Sequence, residues 1–205
     1  MKTTYLYILF IFLTEPSFNY AFSRAKLSSP QQATIRKTHT VDKDTILIKY
    51  TSTSKNQSGY DILAAPAGYI TLQGDTVIPI GKYNYCYTDT LRNYAIVLTN
   101  ERECIAIDKN DKKLFKVFWF DTGPDYIKEG LFRIIGEDGK IGYANDKGEI
   151  VIKPQFAFGF PFENGIAKVT KSGEEKSVPS CNSEYRYWDS DEWFYINTKG
   201  EKVNK

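Results

Sequence analysis

A short phrase recurs along this chain at a nearly fixed interval, and that interval limits the folds open to it more than any other feature. The phrase is Tyr69-Ile70-Thr71-Leu72-Gln73-Gly74-Asp75, then Ala106-Ile107-Asp108-Lys109-Asn110-Asp111-Lys112, then Tyr143-Ala144-Asn145-Asp146-Lys147-Gly148-Glu149. Successive copies lie 37 positions apart. A fourth copy, Tyr195-Ile196-Asn197-Thr198-Lys199-Gly200-Glu201, follows after 52 positions, so the third interval holds about fifteen extra residues. Each phrase reads as a strand running into a tight turn. Gly74, Gly148 and Gly200 share one turn slot and Asp111 fills it in the second copy, both residue types that tolerate left-handed backbone.

The third unit spells out the rest of the pattern. Gly130–Ile135 reads as an opening strand that meets the hairpin turn Asp138-Gly139. Lys140–Asn145 follows as a middle strand, then the turn Asp146-Lys147-Gly148, then a third strand Glu149–Lys153 that Pro154 is expected to stop. A connection over 155–164 leads to the next opening strand, Ile166–Thr170. A three-stranded unit of about 37 residues cannot bury its apolar face alone, so consecutive units must pack on one another or pair edge to edge. The fold class predicted is all-β: tandem three-stranded hairpin or meander repeats stacked in an array over residues 45–205, with units starting near 68, 104, 141 and 193. An aromatic share of 15% suits pleated, half-buried surfaces. Thr45–Tyr50 reads as a first strand, and the last copy, which stops at Val203, as a cap.

Ahead of this domain, residues 1–23 read as a signal peptide: Lys2, an apolar run from Tyr5 to Leu13, then Ala21-Phe22-Ser23. The run is too short to span a bilayer, which takes about 20 apolar residues. The expected mature chain starts near Arg24, is exported to a periplasm or the extracellular space, and has no transmembrane span after cleavage; residues 24–44 read as a flexible linker. A net charge of +2 argues against nucleic acid as a partner. Cys86, Cys104 and Cys181 are an odd set for an oxidising compartment; either Cys86 and Cys104 form a disulfide or all three are small buried hydrophobes.

Three stretches resemble the WG-repeat proteins of bacteria. Glu129-Gly130-Leu131-Phe132-Arg133-Ile134 looks like the family's first element, Gly139 to Gly148 like its Gly-Lys-Trp-Gly-Tyr-Ile-Asp middle and Lys-Gly turn, and Ile150-Val151-Ile152-Lys153-Pro154-Gln155-Phe156 like its end. Phe160 to Val169 resembles the start of a following copy. The likeness is good over Glu129–Val169 and Trp193–Val203 and weak over Gly68–Lys116. The Trp-Gly pair itself is absent, because Ile141 stands where Trp is usual and Trp193 is followed by Phe194. The resemblance implies a repetitive β scaffold with no general catalytic mechanism, so it carries over no active residues.

The chemistry-bearing residues point the same way. His39 is the sole histidine and lies in the linker, which removes the usual base of hydrolytic triads and histidine-based zinc sites. Paired carboxylates remain as an alternative, a carbohydrate-active hydrolase using acids of the 177–192 insertion (Asp189, Asp191, Glu192), with Asp121 and Asp125 as a second pair. Asp189-Ser190-Asp191-Glu192 lacks the spacing of a calcium loop, and no metal or cofactor is expected. The insertion also gathers Tyr185, Tyr187, Trp188 and Trp193 among charged residues, either as a recognition surface or as an elongated hairpin whose alternate rings cover the core. The reading is a non-catalytic binding or scaffold module for a protein or a surface glycan. Tyr185, Tyr187, Trp188, Asp189, Asp191 and Trp193 are its candidate contact residues.

Overall fold

The computed structural model describes residues 41–42, 44–51, 66–178 and 186–204; residues 1–23, expected to be a signal peptide, most of the expected linker, His39, Cys181 and Tyr185 lie outside them. The described residues are all-β, without a helix, and every strand pairing is antiparallel. Four three-stranded meanders can be followed along them. The first is β1 (Leu47–Thr51), β2 (Ala67–Thr71) and β3 (Thr76–Ile78), followed by the short strands β4 (Tyr85–Cys86) and β5 (Thr90–Leu91). The second is β6 (Ala95–Leu98), β7 (Cys104–Ile107) and β8 (Lys113–Val117), followed by a small hairpin, β9 (Trp119–Phe120) and β10 (Gly123–Pro124). The third is β11 (Leu131–Ile135), β12 (Ile141–Asn145) and β13 (Ile150–Phe156), followed by β14 (Phe158–Gly159). In the fourth, β15 (Ile166–Thr170) pairs with β18 (Trp193–Asn197) and β18 with β19 (Lys202–Val203), while a hairpin, β16 (Glu174–Ser177) and β17 (Arg186–Asp189), stands between β15 and β18 in sequence.

The recurring phrase forms one recurring turn. Thr71, Asp108, Asn145 and Asn197 each donate their N–H to the carbonyl four residues on, at 2.9 Å in every case. The slot residues Gly74, Asp111, Gly148 and Gly200 have φ of +92°, +64°, +80° and +82°. A side-chain oxygen of Thr71, Asp108, Asn145 or Asn197 accepts the N–H that leaves the turn. A hydroxyl or Asx oxygen at the first position thus substitutes for a backbone acceptor, which is why Thr, Asp and Asn recur there.

The apolar residues alternate along each strand and divide between three core clusters, each drawn mainly from two consecutive meanders. Leu47, Tyr69 and Ile78 of the first meet Ala95, Val97, Ile105 and Ile107 of the second. The opposite face of the second, Cys104, Ala106, Phe115 and Val117, meets Phe132, Ile134 and Ala144 of the third. The third's other face, Leu131, Ile141, Tyr143 and Ile152, meets Ala167, Val169 and Ile196 of the fourth. This explains why β7 is buried at every position and β12 at its first four: both faces are covered. Backbone pairing joins the second and third meanders directly, through β8 and β11, while β4 and β14, which follow the first and third meanders in the chain, pair with the opening strand of the next at β6 and β15.

Two expectations are corrected. β13 does not stop at Lys153 but continues through Pro154 to Phe156, because the register slips between Ile141↔Phe156 and Tyr143↔Ile152 and Pro154 sits in that bulge, where no ladder N–H is required. Cys86 and Cys104 form no disulfide. Both are buried free thiols, on β4 and β7, and β6 lies between those strands, leaving them about 10 Å apart at the usual strand spacing.

Candidate functional site

The β16–β17 hairpin packs on β14 through Trp188 and, with the third meander and the Phe118-Trp119 segment, borders an open cleft of about 330 Å³. One wall is Tyr187 and Trp188 of β17; the other is Phe118, Trp119, Ile135, Ile141 and Phe158, with Glu175 and Arg186 also in the lining. The rings are fixed. Trp188 stacks on Phe158 with centroids 5.3 Å apart and planes 16° from parallel, and its Nε1 donates to the Ser172 carbonyl at 3.0 Å. Trp119 Nε1 donates to the Asp121 carbonyl at 2.9 Å. Each indole therefore has its polar edge satisfied and its apolar body available to the cleft.

Local sequence sets the hairpin's angle. Gly173 has φ +105°, and a Cβ there would lie 2.2 Å from the Asp189 carbonyl and 2.7 Å from Trp188 Nε1, so the chain turns where only glycine fits. Thr170 Oγ1 lies 2.8 Å from Ser190 Oγ, and Ser172 Oγ donates to Glu192 Oε2 at 3.1 Å, which ties both ends of the insertion to one another. Across the hairpin Lys176 holds Asp189 at 2.6 Å and Arg186 holds Glu175 at 2.9 Å. The hydrogen bond that Lys176 donates to Asp189 raises the ammonium pKa above its ordinary value. Arg186 Nε is buried and has no hydrogen-bond partner among the described residues.

The candidate residues thus separate. Tyr187 and Trp188 line the cleft, Asp189 lies on the same strand in an ion pair, and Asp191 is exposed in the link to β18. Trp193 opens β18 and packs edge-on to Phe158, centroids 6.4 Å apart. Tyr185 falls outside the described residues. Phe118, Trp119, Ile135, Ile141 and Phe158 complete the cleft although nothing local in their sequence assigns them to it; the run Phe118-Trp119-Phe120 was the available signal.

One of the candidate acids has a structural place. Asp125, a candidate acid from sequence, is buried against Arg133, each side chain only 1% exposed. Its Oδ2 accepts from Arg133 Nε and from the Arg133 backbone N–H, both at 2.9 Å, and its Oδ1 accepts from Nη2 at 2.5 Å. The guanidinium also donates to the Gly159 carbonyl at 3.3 Å and lies 4.0 Å from the Phe118 ring centroid. Both carboxylate oxygens are occupied by Arg133 and the group is buried, so a substrate has no access to it. This pair supports the cleft instead, since it fixes Phe118 and β14 from behind. Among the described residues no cluster of three or more His, Cys, Asp or Glu is placed to hold a metal ion.

Residues 141–174 match the family model described as WG containing repeat. The matched segment runs from the start of β12 through β13, β14 and β15 to the first residue of β16, so it supplies Ile141, Ala157 and Phe158 to the cleft while Tyr187 and Trp188 come from the insertion that follows. No curated protein and no solved structure matches the chain.

Proposed function

We propose that the chain is an exported, non-catalytic binding module: a stacked array of WG-type meanders of about 37 residues, interrupted once by a hairpin that makes a recognition cleft. The pairing of core clusters with consecutive meanders supports the array, and the composition of residues 1–23 supports export. The binding role rests on one observation, the cleft between Tyr187 and Trp188 on one side and Phe118, Trp119 and Phe158 on the other. A concave aromatic site of this size with two charged groups in its lining suits a single apolar anchor side chain with a polar neighbour, the form of a protein hot spot. Stacking of Trp188 on Phe158 occupies a ring face that a sugar platform needs, which favours a protein partner over a glycan.

The test is selection of ligands from a random peptide display library and from a glycan array on the wild-type chain, with Trp188→Ala and Tyr187→Ala in parallel. Peptides carrying an aromatic or large aliphatic anchor should be enriched and should bind Trp188→Ala at least ~30-fold more weakly, the equivalent of about 2 kcal/mol. Ligands indifferent to both substitutions, or no enrichment at all, would remove the cleft from the function.

A further inference from the structure

The junctions inside the molecule follow a rule about which face meets which. On the opening and middle strands the backward faces, those turned to the preceding meander, are uncharged: Ala95, Val97, Ile105 and Ile107 in the second, Phe132, Ile134 and Ala144 in the third, Ala167, Val169 and Ile196 in the fourth; the lysines opposite two of these, Lys116 and Lys202, stand on the third strands. The forward faces of the first and third each carry one cation directly opposite a tyrosine, Lys49 against Tyr69 and Arg133 against Tyr143. Both tyrosines donate across the junction to a carbonyl of the segment leading to the next meander, Tyr69 to Thr88 at 2.6 Å and Tyr143 to Phe160 at 2.8 Å.

The fourth meander repeats this forward face. Lys168 stands opposite Tyr195, and Ile166 and Trp193 lie on the same side. Among the described residues the face is half-buried and bears an open groove of about 260 Å³ lined by Phe160, Glu163, Ile166, Lys168 and Tyr195. Its counterparts in the third meander, Leu131, Arg133, Ile141 and Tyr143, are all buried. At the other end the first meander's backward face, Ile48, Tyr50 and Ile70, has the uncharged character of the other backward faces and is likewise half-buried.

We infer that these two faces are complementary halves of one more junction, so that the fourth meander of one chain docks the first meander of a second copy, head to tail. The inference rests on the stacked-array reading above. The contact is heterologous, so copies add in an open series instead of closing as a two-fold dimer.

Sedimentation velocity on the full chain, from about 10 μM to about 1 mM, tests it. Wild type should pass beyond dimer as concentration rises. Ile166→Asp with Tyr195→Asp blocks one end, Ile48→Asp with Ile70→Asp the other; each variant alone should be monomeric, and an equimolar mixture should form a dimer and nothing larger. Wild type that stays monomeric, or that stops at dimer, overturns the inference, as does a monomeric mixture of two variants that melt like wild type. If either double variant melts early, the single Ile166→Lys and Ile70→Lys replace it. A monomeric wild type that still melts in one cooperative transition sinks this surface alone, whereas meanders that melt independently sink the stack itself.

Discussion

Gly142→Ala tests the account of how a third strand seats on a middle strand. β13 crosses Gly142 so closely that an added Cβ would lie 2.5 Å from the Ile152 carbonyl oxygen, 2.6 Å from Pro154 N and 2.9 Å from the Lys153 carbonyl carbon. All three are backbone atoms, so no side chain can rotate away. Restoring ordinary contact requires β13 to shift by about 1 Å over the bulge that seats Phe156 and Ile152 in the core, an overpacking cost of about 1–3 kcal/mol. For a domain of this size that lowers the melting temperature by roughly 2–4 °C per kcal/mol. Gly68 stands at the same place in the first meander, with a Cβ that would meet the Ile78 carbonyl at 2.3 Å, and should behave alike. Gly123 is the control: its backbone is not left-handed and nothing lies within 4 Å of its Cβ, so Gly123→Ala should stay within about 0.5 kcal/mol of wild type. Urea unfolding followed by tryptophan fluorescence reads all three. If Gly142→Ala matches Gly123→Ala, the close crossing is not what selects glycine at this position.

Asp125→Asn should cost about 3–5 kcal/mol, because it leaves the Arg133 guanidinium buried beside a neutral partner, and urea titration will measure it. Glu129 accepts the N–H groups of Asn164 at 2.6 Å and Gly165 at 2.8 Å, joining the turn before β11 to the turn before β15; Glu129→Gln should lower stability by about 1 kcal/mol, read by the same titration. Burial raises the Cys86 thiol pKa and pushes Cys104 up to about 12, so neither should react with a thiol reagent at pH 8 until the chain unfolds. The sign follows from linkage: the unfolded thiol ionises from about pH 9 while folded Cys104 does not, so this contribution to stability is complete below pH 9 and is lost as pH rises toward 12.

The turns were legible in sequence because their determinants are local. In the four copies of the phrase a Thr, Asp or Asn followed three residues later by Gly or Asp supplies both the side-chain acceptor and the left-handed slot, and the four fold alike. The two-residue strands β4, β5, β9, β10 and β14 were not legible, since each owes its existence to a partner strand and none is long enough to show a period. The passage of β13 through Pro154 depends on a bulge opposite Gly142, a tertiary fit with no local signature. No local signal marked Arg133 as an interior cation; its place between Leu131 and Ile135 on one side of the strand, and Asp125 eight residues earlier, were the available pointers. The cleft was half legible: Tyr187 and Trp188 stood out as an aromatic group, but its other wall arrives from three separate segments.

The insertion can be separated from the fold by the register that flanks it. In the third meander Ile135↔Ile141 closes the opening and middle strands around the turn 136–140, in which Gly136 N–H donates to the Lys140 carbonyl at 2.8 Å. In the fourth, Thr170↔Trp193 closes the equivalent pair, so the same five-residue turn can replace residues 171–192 without changing the ladder. The exchange removes the packing of half-buried Trp188 on Phe158, worth about 1–2 kcal/mol. It also shortens the connection about fourfold, which returns about 1.2 kcal/mol of closure entropy. The terms nearly offset, so the shortened chain should melt within about 5 °C of wild type while binding none of the peptides selected on the cleft. A chain that instead unfolds would make the hairpin a structural cap on the array, and the aromatic side chains Tyr187 and Trp188 would then belong to the core and not to recognition.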